Sequence, residues 1–207
     1  PSVRHRGFLT PFVGQGFDEA RDKNWLLEKA FQLVPKEHQG ESGKYWCLAI
    51  DGDEVLAPQD HGILMTSTQG EHHVYSLQVL YLWDSDDQVR VDGVYRDFRR
   101  PSLFRLMNPS FRYQSTPWGD GANLHCANIP QELLGLSRSS KSVLPARLLH
   151  LGYRDKADRL RKYAFYCNVD PGNECEDHYR HMVVGDVFPS ESVFKWGGPL
   201  EVVPLVL

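Results

Sequence analysis

The sequence predicts an α/β fold in which a mixed sheet is flanked by helices. Three observations predict it: a helical hydrophobic period over residues 18–34, a continuous apolar stretch over residues 45–50, and later strand-like segments that lead into a basic amphipathic segment. The chain has 207 residues, of which 41% are hydrophobic, and this is enough for one continuous core. No repeat or linker divides the sequence, so we expect a single domain over residues 1–207.

The sequence predicts a series of helices and strands along the chain. Asp18 is placed to cap the first helix and Pro35 to end it. Residues 45–50 suit a parallel strand that is buried on both faces, because the apolar stretch does not alternate. Further strands are predicted over residues 73–83, 89–98, 102–107 and 146–153, further helices over residues 58–68, 155–166 and 174–183, and irregular structure over residues 108–128 and 188–207.

Charge and cysteine content indicate no special partner. The net charge is −4 and the pI about 6.1, so we expect no general attraction to nucleic acid or to an anionic membrane surface. No stretch of about 18 apolar residues predicts a membrane span. The four cysteines are too few for a disulfide framework, which predicts a reducing compartment, the cytoplasm. The spacing of Cys167, Cys175, His178 and His181 fits a structural zinc site poorly.

An acidic turn, Asp51-Gly52-Asp53-Glu54, directly follows the apolar stretch. A strand that ends there places Asp51 and Asp53 at the carboxyl edge of the sheet, where open α/β folds bind ligands. Carboxylate oxygens suit Mg²⁺ or Mn²⁺, which are often shared with substrate phosphates. A solvated turn after a strand has the same composition, so from these four residues both interpretations remain open.

The order of these segments resembles the centre of family 2 glycosyltransferases, which have the GT-A fold. The resemblance rests on residues 17–25 (FDEARDKNW), 45–54 (YWCLAIDGDE), 100–105 (RPSLFR) and 148–153 (LLHLGY), the last followed by a basic helix. It implies a GT-A-like single domain and a metal-dependent enzyme that moves a sugar from a nucleotide-diphosphate donor to an acceptor. The cofactor implied is Mn²⁺ or Mg²⁺.

Two features depart from the family pattern. Family members normally begin with a βαβ nucleotide-binding unit of about 30 or more residues, whereas only about 16 residues precede the first predicted helix here. We therefore expect a removed segment or another chain to supply much of the base-binding part, unless the chain is a degenerate relative. Asp22 stands where the family prefers Asn after the arginine, which leaves the donor contact of Arg21 open.

The resemblance implies a metal site formed by Asp51, Asp53 and His150. In several GT-A enzymes a late histidine joins the aspartates, and imidazole is a natural ligand for Mn²⁺. Considered alone, His150 is more simply a core histidine with a backbone partner. The implied donor contacts are Arg21, Asp51, Arg100 and Arg105, although Arg100 and Arg105 can equally face solvent along a strand edge.

Transfer with inversion needs a general base that takes the proton of the acceptor hydroxyl. Asp120 is the predicted base, with Trp118 placed to stack on a sugar ring, and Asp97 is the second choice. A Gly-Asp-Gly turn is the alternative for Asp120, and an enzyme that retains configuration needs no such base. The basic residues of the predicted helix over residues 155–166 form either a solvated face or a second phosphate contact.

Two other functions fit the same sequence. A carbohydrate- or protein-binding module can keep this fold without binding nucleotide, and the short amino-terminal part motivates that alternative. Another metal-dependent nucleotide enzyme, such as a nucleotidyltransferase, would use the same acidic turn.

Overall fold

The computed structural model describes residues 18–38, 44–115, 126–172 and 177–207. Its helices are α1 (Glu19–Leu33), α2 (His61–Ser67), α3 (Gln131–Leu134) and α4 (Lys156–Val169). Its strands are β1 (Trp46–Leu48), β2 (Glu54–Leu56), β3 (Val74–Tyr81), β4 (Gln88–Arg90), β5 (Arg99–Arg105), β6 (Lys141–His150) and β7 (Val202–Pro204). The predicted α/β class with a mixed sheet and flanking helices is confirmed.

The main sheet has five strands in the order β1-β5-β3-β6-β2, and β4 pairs with β7 in a second, two-stranded sheet. In the main sheet β3 and β6 are parallel, whereas the other three pairings are antiparallel. Two successive antiparallel pairings, through β5, give β1 the same direction as β3 and β6. The carboxyl ends of β1, β3 and β6 therefore lie at one edge of the sheet.

Helices cover both faces of the main sheet. Successive side chains of a strand point to opposite faces, and on β5 Phe104 enters one apolar cluster while Leu103 enters another. The Phe104 cluster contains Ala20 and Leu27 of α1, and the Leu103 cluster contains Leu64 of α2. The sheet is thus the middle layer of the fold, and its apolar burial against these helices is the main stabilising contribution.

The boundaries of α1 follow from its sequence. Asp18 caps the helix, because its Oδ1 accepts a hydrogen bond from the Arg21 N–H at 2.9 Å. The helix ends at Leu33, two residues before Pro35, whose ring disfavours helical backbone at the residue before it. Both predicted signals are confirmed.

A third apolar cluster is formed by residues that follow β3 and β6. It combines Trp83 and Tyr153 with residues of the carboxyl-terminal segment, among them Met182 and Val183. α4 contacts this segment, and β7 pairs with β4, so the end of the chain returns to the body of the fold.

β1 corrects the prediction for residues 45–50. The strand covers only Trp46–Leu48, runs antiparallel to β5 and lies at the edge of the described sheet, where its residues are half-buried. Cys47 packs on the α1 side and Trp46 on the α2 side, so the stretch is apolar toward both faces as expected. Apolar composition does not encode the direction of the neighbouring strand or the number of neighbours. The expectation of a parallel, fully buried strand is therefore wrong.

Two other predicted elements differ in type. The strand expected over residues 89–98 ends at Arg90, and a 3₁₀ turn (Gly93–Arg96) follows, which begins with a φ of +52° at Gly93. The helix expected over residues 174–183 is, in its described part, a 3₁₀ segment (Asp177–Val183). Positive φ angles at His178 and Tyr179 prevent a regular helix there.

The other predicted elements are confirmed with shifted ends. A 3₁₀ turn (Pro58–Asp60) and α2 occupy the helix expected over residues 58–68, and α4 overlaps the basic helix expected over residues 155–166. β3, β5 and β6 lie at three of the predicted strands, whereas β7 lies in the tail that showed no period. None of the helices in the described ranges combines the length and the apolar character needed to cross a membrane.

Candidate functional site

The acidic turn joins β1 to β2 at the edge where β1, β3 and β6 end. Two hydrogen bonds close it: the Glu54 N–H donates to the Asp51 carbonyl at 3.1 Å, and the Asp51 N–H donates to Glu54 Oε2 at 3.0 Å. The side chains of Asp51 and Asp53 are 36% and 35% exposed, and each carboxylate contacts cationic groups of other elements. The turn is therefore an organised charge cluster, and the alternative of a merely solvated turn does not describe it.

Arg100, on the neighbouring strand β5, forms ion pairs with two residues of the acidic turn. Its Nη1 donates to Asp51 Oδ2 at 2.8 Å, and its Nη2 forms an ion pair with Glu54 Oε2. Burial raises the pKa of Glu54, although the attraction of Arg100 opposes this shift. Burial also disfavours the charged form of Arg100, but Asp51 and Glu54 outweigh that effect and raise the Arg100 pKa. The Arg100 side chain thus points into the site and not along a solvent-facing edge.

Strand pairing brings Asp53 next to His150. β2 pairs with β6 so that Glu54 lies opposite His150, and the Leu151 N–H donates to the Asp53 carbonyl at 2.7 Å. In this register His150 Nε2 lies 3.5 Å from Asp53 Oδ2. Two residues almost one hundred positions apart in the chain therefore meet at the carboxyl end of β6.

His150 is buried between aromatic rings and is held in its neutral form. Its ring centroid lies 4.6 Å from that of Tyr81 and 4.8 Å from that of Tyr153. Burial, with further effects of nearby Lys162 and Arg100, lowers the pKa of His150 to about 4, although Asp53 favours the charged form. His150 Nδ1 is buried and has no hydrogen-bond partner among the described residues. The core-histidine alternative required a backbone partner, which the described part of the chain does not provide.

Lys162 reaches the same carboxylate from α4. Its Nζ lies 2.7 Å from Asp53 Oδ2, the oxygen that also faces His150. Burial opposes the ionised form of Asp53, but the charges of His150, when protonated, and of Lys162 outweigh it, so the pKa of Asp53 is lowered. Asp53 is therefore ionised at neutral pH.

Gly152 provides the space in which these groups meet. A Cβ atom added there would lie 2.7 Å from His150 Cε1 and 3.0 Å from Lys162 Nζ, and would overlap Asp53 Oδ2. The backbone at Gly152 thus passes directly beside all three side chains. Any other residue at this position would displace at least one of them.

Asp53 and His150 fit a divalent cation as two of its ligands. An ionised carboxylate and a neutral imidazole are the protonation states that metal ligands need. Oxygen ligands of Mg²⁺ lie about 2.1 Å from the ion, so one ion can contact two ligand atoms that are 3.5 Å apart. Asp51 is paired with Arg100, and in the described ranges no three His, Cys, Asp or Glu side chains form a metal-holding group. The structure thus brings together two of the three predicted metal ligands.

A cleft of about 310 Å³ adjoins the acidic turn on the α1 side. Lys23 of α1 lies 2.6 Å from Glu19 and 3.8 Å from Asp51, and its Nζ donates to Asn128 Oδ1 at 3.2 Å. The Asn128 amide in turn donates to the Ala49 carbonyl at 3.0 Å, which ties this wall to the end of β1. The cleft is lined by polar and apolar residues: Glu19, Lys23, Asp51, Arg100, Pro101, Cys126, Ala127, Asn128, Ile129 and Leu134.

Arg21 lies at a different cavity from the one beside the acidic turn. Its side chain pairs with Asp22 at 2.9 Å, and it lines a cavity of about 500 Å³ together with Trp25 and Phe31. The α1 residue that contacts Asp51 is Lys23. Of these two residues, Lys23 is therefore the one that lies beside the acidic turn.

Two further predicted residues stand apart from the cluster. Arg105 lies five residues beyond Arg100 on β5, roughly 17 Å along the strand, where it stacks on Trp46 and donates to the His72 carbonyl at 3.0 Å. Asp97 is 70% exposed and pairs with Arg99 at 2.9 Å. Neither side chain has a contact with the acidic turn, so the geometry does not support a donor contact for Arg105 or a base role for Asp97.

Other predicted residues lie outside the described residues. Asp120, the predicted base, and Trp118 belong to this group, and so does Cys175. Cys47, Cys126 and Cys167 are unpaired thiols.

Sequence reasoning missed several residues of this site. For Lys162 the sequence predicts only that it belongs to a basic helix, which forms either a solvated face or a second phosphate contact. Lys23, Gly152 and Asn128 carry no motif of their own. The available signal for Lys162 was weak: a lysine two turns into a helix that starts soon after His150. Only the packing of α4 shows which basic residue of that helix reaches Asp53.

Comparisons of this chain with protein families, with curated proteins and with solved structures found no match.

Proposed function

We propose that the chain is the catalytic-site part of a metal-dependent glycosyltransferase that uses a nucleotide-diphosphate sugar. The observation on which the proposal depends is the convergence of ionised Asp53 and neutral His150, 3.5 Å apart, at the edge where β1, β3 and β6 end. This pair joins two of the four segments that resemble family 2 glycosyltransferases. A third segment adds Arg100, which contacts the same acidic turn.

The proposed reaction replaces one bond to the sugar by another. The acceptor oxygen bonds to the anomeric carbon, the bond from that carbon to the β-phosphate oxygen breaks with its electrons, and a base takes the acceptor proton. The products are the glycosylated acceptor and a nucleoside diphosphate. A bound Mn²⁺ or Mg²⁺ supplies stabilisation of the negative charge that develops on the leaving phosphate.

The residues of the site would contribute metal ligands and charged groups to this charge separation. Asp53 offers an ionised oxygen to the cation, and neutral His150 offers Nε2 in the tautomer that carries its proton on Nδ1. Lys23 and Arg100, which are paired with Glu19 and Asp51, line the cleft where the diphosphate of the donor would lie. Fixed charges in a partly buried site act more strongly on developing charge than the same charges in water.

The identity of the base remains the prediction of Asp120. The unpaired thiols of the described cysteines fit the proposed reducing, cytoplasmic location.

Coupled binding of metal and nucleotide is the direct test. At about 100 times the dissociation constant a ligand adds about 2.7 kcal/mol of stability, which for a chain of this size raises the unfolding temperature by roughly 5–10 °C. We expect Mn²⁺ with UDP or with GDP to produce such a shift, and each component alone to produce a smaller one. Asp53→Asn should abolish the coupled shift, whereas Glu191→Gln, an exposed carboxylate elsewhere, should retain it.

The outcomes separate the proposal from its two alternatives. A binding module without nucleotide chemistry would show no metal-dependent shift with either nucleotide. A nucleotidyltransferase would show the shift but release pyrophosphate, whereas the proposed enzyme releases a nucleoside diphosphate from the nucleotide sugar. Unchanged nucleotide release by Asp53→Asn would remove the basis for the assigned site.

A further inference from the structure

Lys162 occupies the place at which a cation would approach Asp53. Its Nζ lies 2.7 Å from Asp53 Oδ2, and the His150 Nε2 faces the same oxygen at 3.5 Å. The ammonium also lies 5.6 Å from the ring centroid of Tyr153, and the side chain is 26% exposed. The carboxylate oxygen that would bind the metal is therefore already neutralised by a residue of the chain.

We propose that Lys162 is a built-in counter-cation of the metal site, which is displaced from Asp53 when a divalent cation binds and then contacts the donor diphosphate. The inference rests on the proposed function, because it concerns the same site. It adds a residue that makes metal binding depend on the nucleotide. In this scheme Lys162 is a donor-binding residue, and its contact with Asp53 in the absence of metal opposes metal binding without nucleotide.

The charge balance supports this role. A divalent cation that replaces the ammonium on Asp53 stays close to Lys162, and two cations at short range repel each other strongly in a partly buried site. Metal alone therefore binds weakly. The diphosphate brings at least two negative charges, which attract both the metal and Lys162. Binding of metal and nucleotide is then mutually favourable, and the coupling is the same whichever binds first.

The architecture allows the Lys162 side chain to move while its helix stays in place. Arg159, one turn earlier on α4, is fully buried and binds Asp84 at 2.7 Å and Asp186 at 2.8 Å. The helix is thus anchored on the side facing the carboxyl-terminal segment. Lysine has a flexible four-carbon stem, so its ammonium can leave Asp53 by rotation about side-chain bonds alone.

The other basic residues near the acidic turn are paired with groups other than Asp53. Arg100 is paired with both Asp51 and Glu54, and Lys23 is paired with Glu19 and Asn128. Of these basic residues, Lys162 is the one whose ammonium contacts Asp53.

The test measures Mn²⁺ affinity by electron paramagnetic resonance with the full chain, first without nucleotide and then with UDP or GDP. Lys162→Met removes the charge and keeps most of the stem, and we expect it to bind Mn²⁺ alone at least tenfold more tightly than the unmodified chain. The enhancement of Mn²⁺ affinity by the nucleotide should fall by a similar factor. Lys162→Arg keeps the charge and should bind Mn²⁺ alone as weakly as the unmodified chain.

Lys156→Met is the matched control on the same helix. Lys156 pairs with Asp186 and has no contact with Asp53, so its loss should leave Mn²⁺ affinity unchanged. Lys162→Gln provides a second neutral side chain in case Lys162→Met does not fold, as judged by its cooperative thermal unfolding.

Each outcome decides the question. Unchanged or weaker Mn²⁺ binding by both neutral variants would overturn the role of Lys162 while leaving the proposed function in place, provided that the unmodified chain binds Mn²⁺ with nucleotide. If neither the unmodified chain nor the neutral variants bind Mn²⁺ with UDP or GDP, both proposals are wrong.

Discussion

Gly152 shows how one missing side chain shapes the candidate site. The residue lies two positions after His150, where the chain turns from β6 toward α4, and its backbone contacts the place where three functional groups meet. Asp53, His150 and Lys162 can approach one another only because no Cβ stands between them. The arrangement of Asp53 and His150 that would hold a metal therefore requires a glycine at position 152.

Gly152→Ala tests this dependence. The added methyl group would lie 2.7 Å from His150 Cε1 and would overlap Asp53, so the side chains must move apart. We expect a loss of about 1–3 kcal/mol in the free energy of unfolding, which is typical of overpacking, and loss of the coupled Mn²⁺ and nucleotide shift. Thermal unfolding with and without Mn²⁺ and UDP or GDP measures both effects.

Gly62→Ala is the control for that substitution. Gly62 lies within α2, and a Cβ there would meet no described atom within 4 Å. Alanine favours a helix over glycine by up to about 1 kcal/mol, so this variant should be as stable as the unmodified chain or slightly more stable. If Gly152→Ala and Gly62→Ala have the same stability and the same Mn²⁺ and nucleotide shift, the site does not require a glycine at position 152.

At the scale of elements, a buried ion pair joins α2 to the central strands. Asp60, in the 3₁₀ turn that precedes α2, accepts hydrogen bonds from the N–H and from Nε of Arg147 on β6, both at 2.8 Å. A third bond runs from Arg147 Nη2 to the other carboxylate oxygen at 2.9 Å. The Asp60 side chain is only 3% exposed, so removal of its charge leaves the Arg147 guanidinium without its carboxylate partner in a largely enclosed place.

Asp60→Asn should therefore cost about 3 kcal/mol of stability, the lower end of the cost of breaking a buried pair, because Arg147 keeps some contact with solvent. The hydrogen bonds from Arg147 lower the pKa of Asp60 below its ordinary value. The ionised Asp60 carboxylate therefore contributes its full stabilisation of the folded chain above a pH of about 4. This stabilisation is lost as the pH falls through the lowered pKa of Asp60. Urea unfolding at pH 7 and at lower pH should show the difference between the two proteins shrinking with acidification.

A surface pair supplies the comparison for Asp60. Arg96 and Glu201 are 65% and 52% exposed and lie 2.7 Å apart, so Glu201→Gln should change stability by less than about 1 kcal/mol. If the difference in unfolding free energy between Asp60→Asn and the unmodified chain does not change with pH, the loss of the carboxylate charge is not its cause.

At the scale of the whole molecule, Arg159 connects α4 to two distant parts of the chain. The side chain is fully buried and binds Asp84, in the turn after β3, and Asp186, in the carboxyl-terminal segment. Its guanidinium carbon lies 4.0 Å from the ring centroid of Trp83, and Nη1 donates to the Met182 carbonyl at 2.7 Å. The third apolar cluster is thus organised around a buried charge whose hydrogen bonds are satisfied.

Arg159→Met should destabilise the chain by about 3 kcal/mol, the lower end of the cost of breaking a buried pair, because it removes one charged partner of the largely buried Asp186 carboxylate while Lys156 remains paired with it. Arg161→Met, two residues along α4, should have almost no effect, because that side chain is 71% exposed and pairs with Asp158 on the surface. Urea unfolding of both variants measures the contrast. Equal losses would mean that the anchoring of α4 does not depend on Arg159.

Much of the local structure was predictable because local signals act over a few residues. The cap at Asp18, the end of α1 before Pro35 and the acidic turn after an apolar strand follow from interactions between near neighbours. The position of the acidic turn at a carboxyl edge was also predictable. The antiparallel neighbour of β1 was not, since the apolar stretch is the same for either direction.

The sequence by itself determined the α/β class, the order of the main helices and strands, and the pair of aspartates at the end of β1. Only the tertiary structure decided that Lys162 contacts Asp53, which lies 109 positions earlier in the sequence. It also decided that Arg100 pairs with Glu54, 46 positions away, and that Lys23 is the α1 residue beside Asp51. The physical reason is that helical and strand periods specify which face a residue occupies. Strand register and helix packing decide which distant residue lies opposite that face.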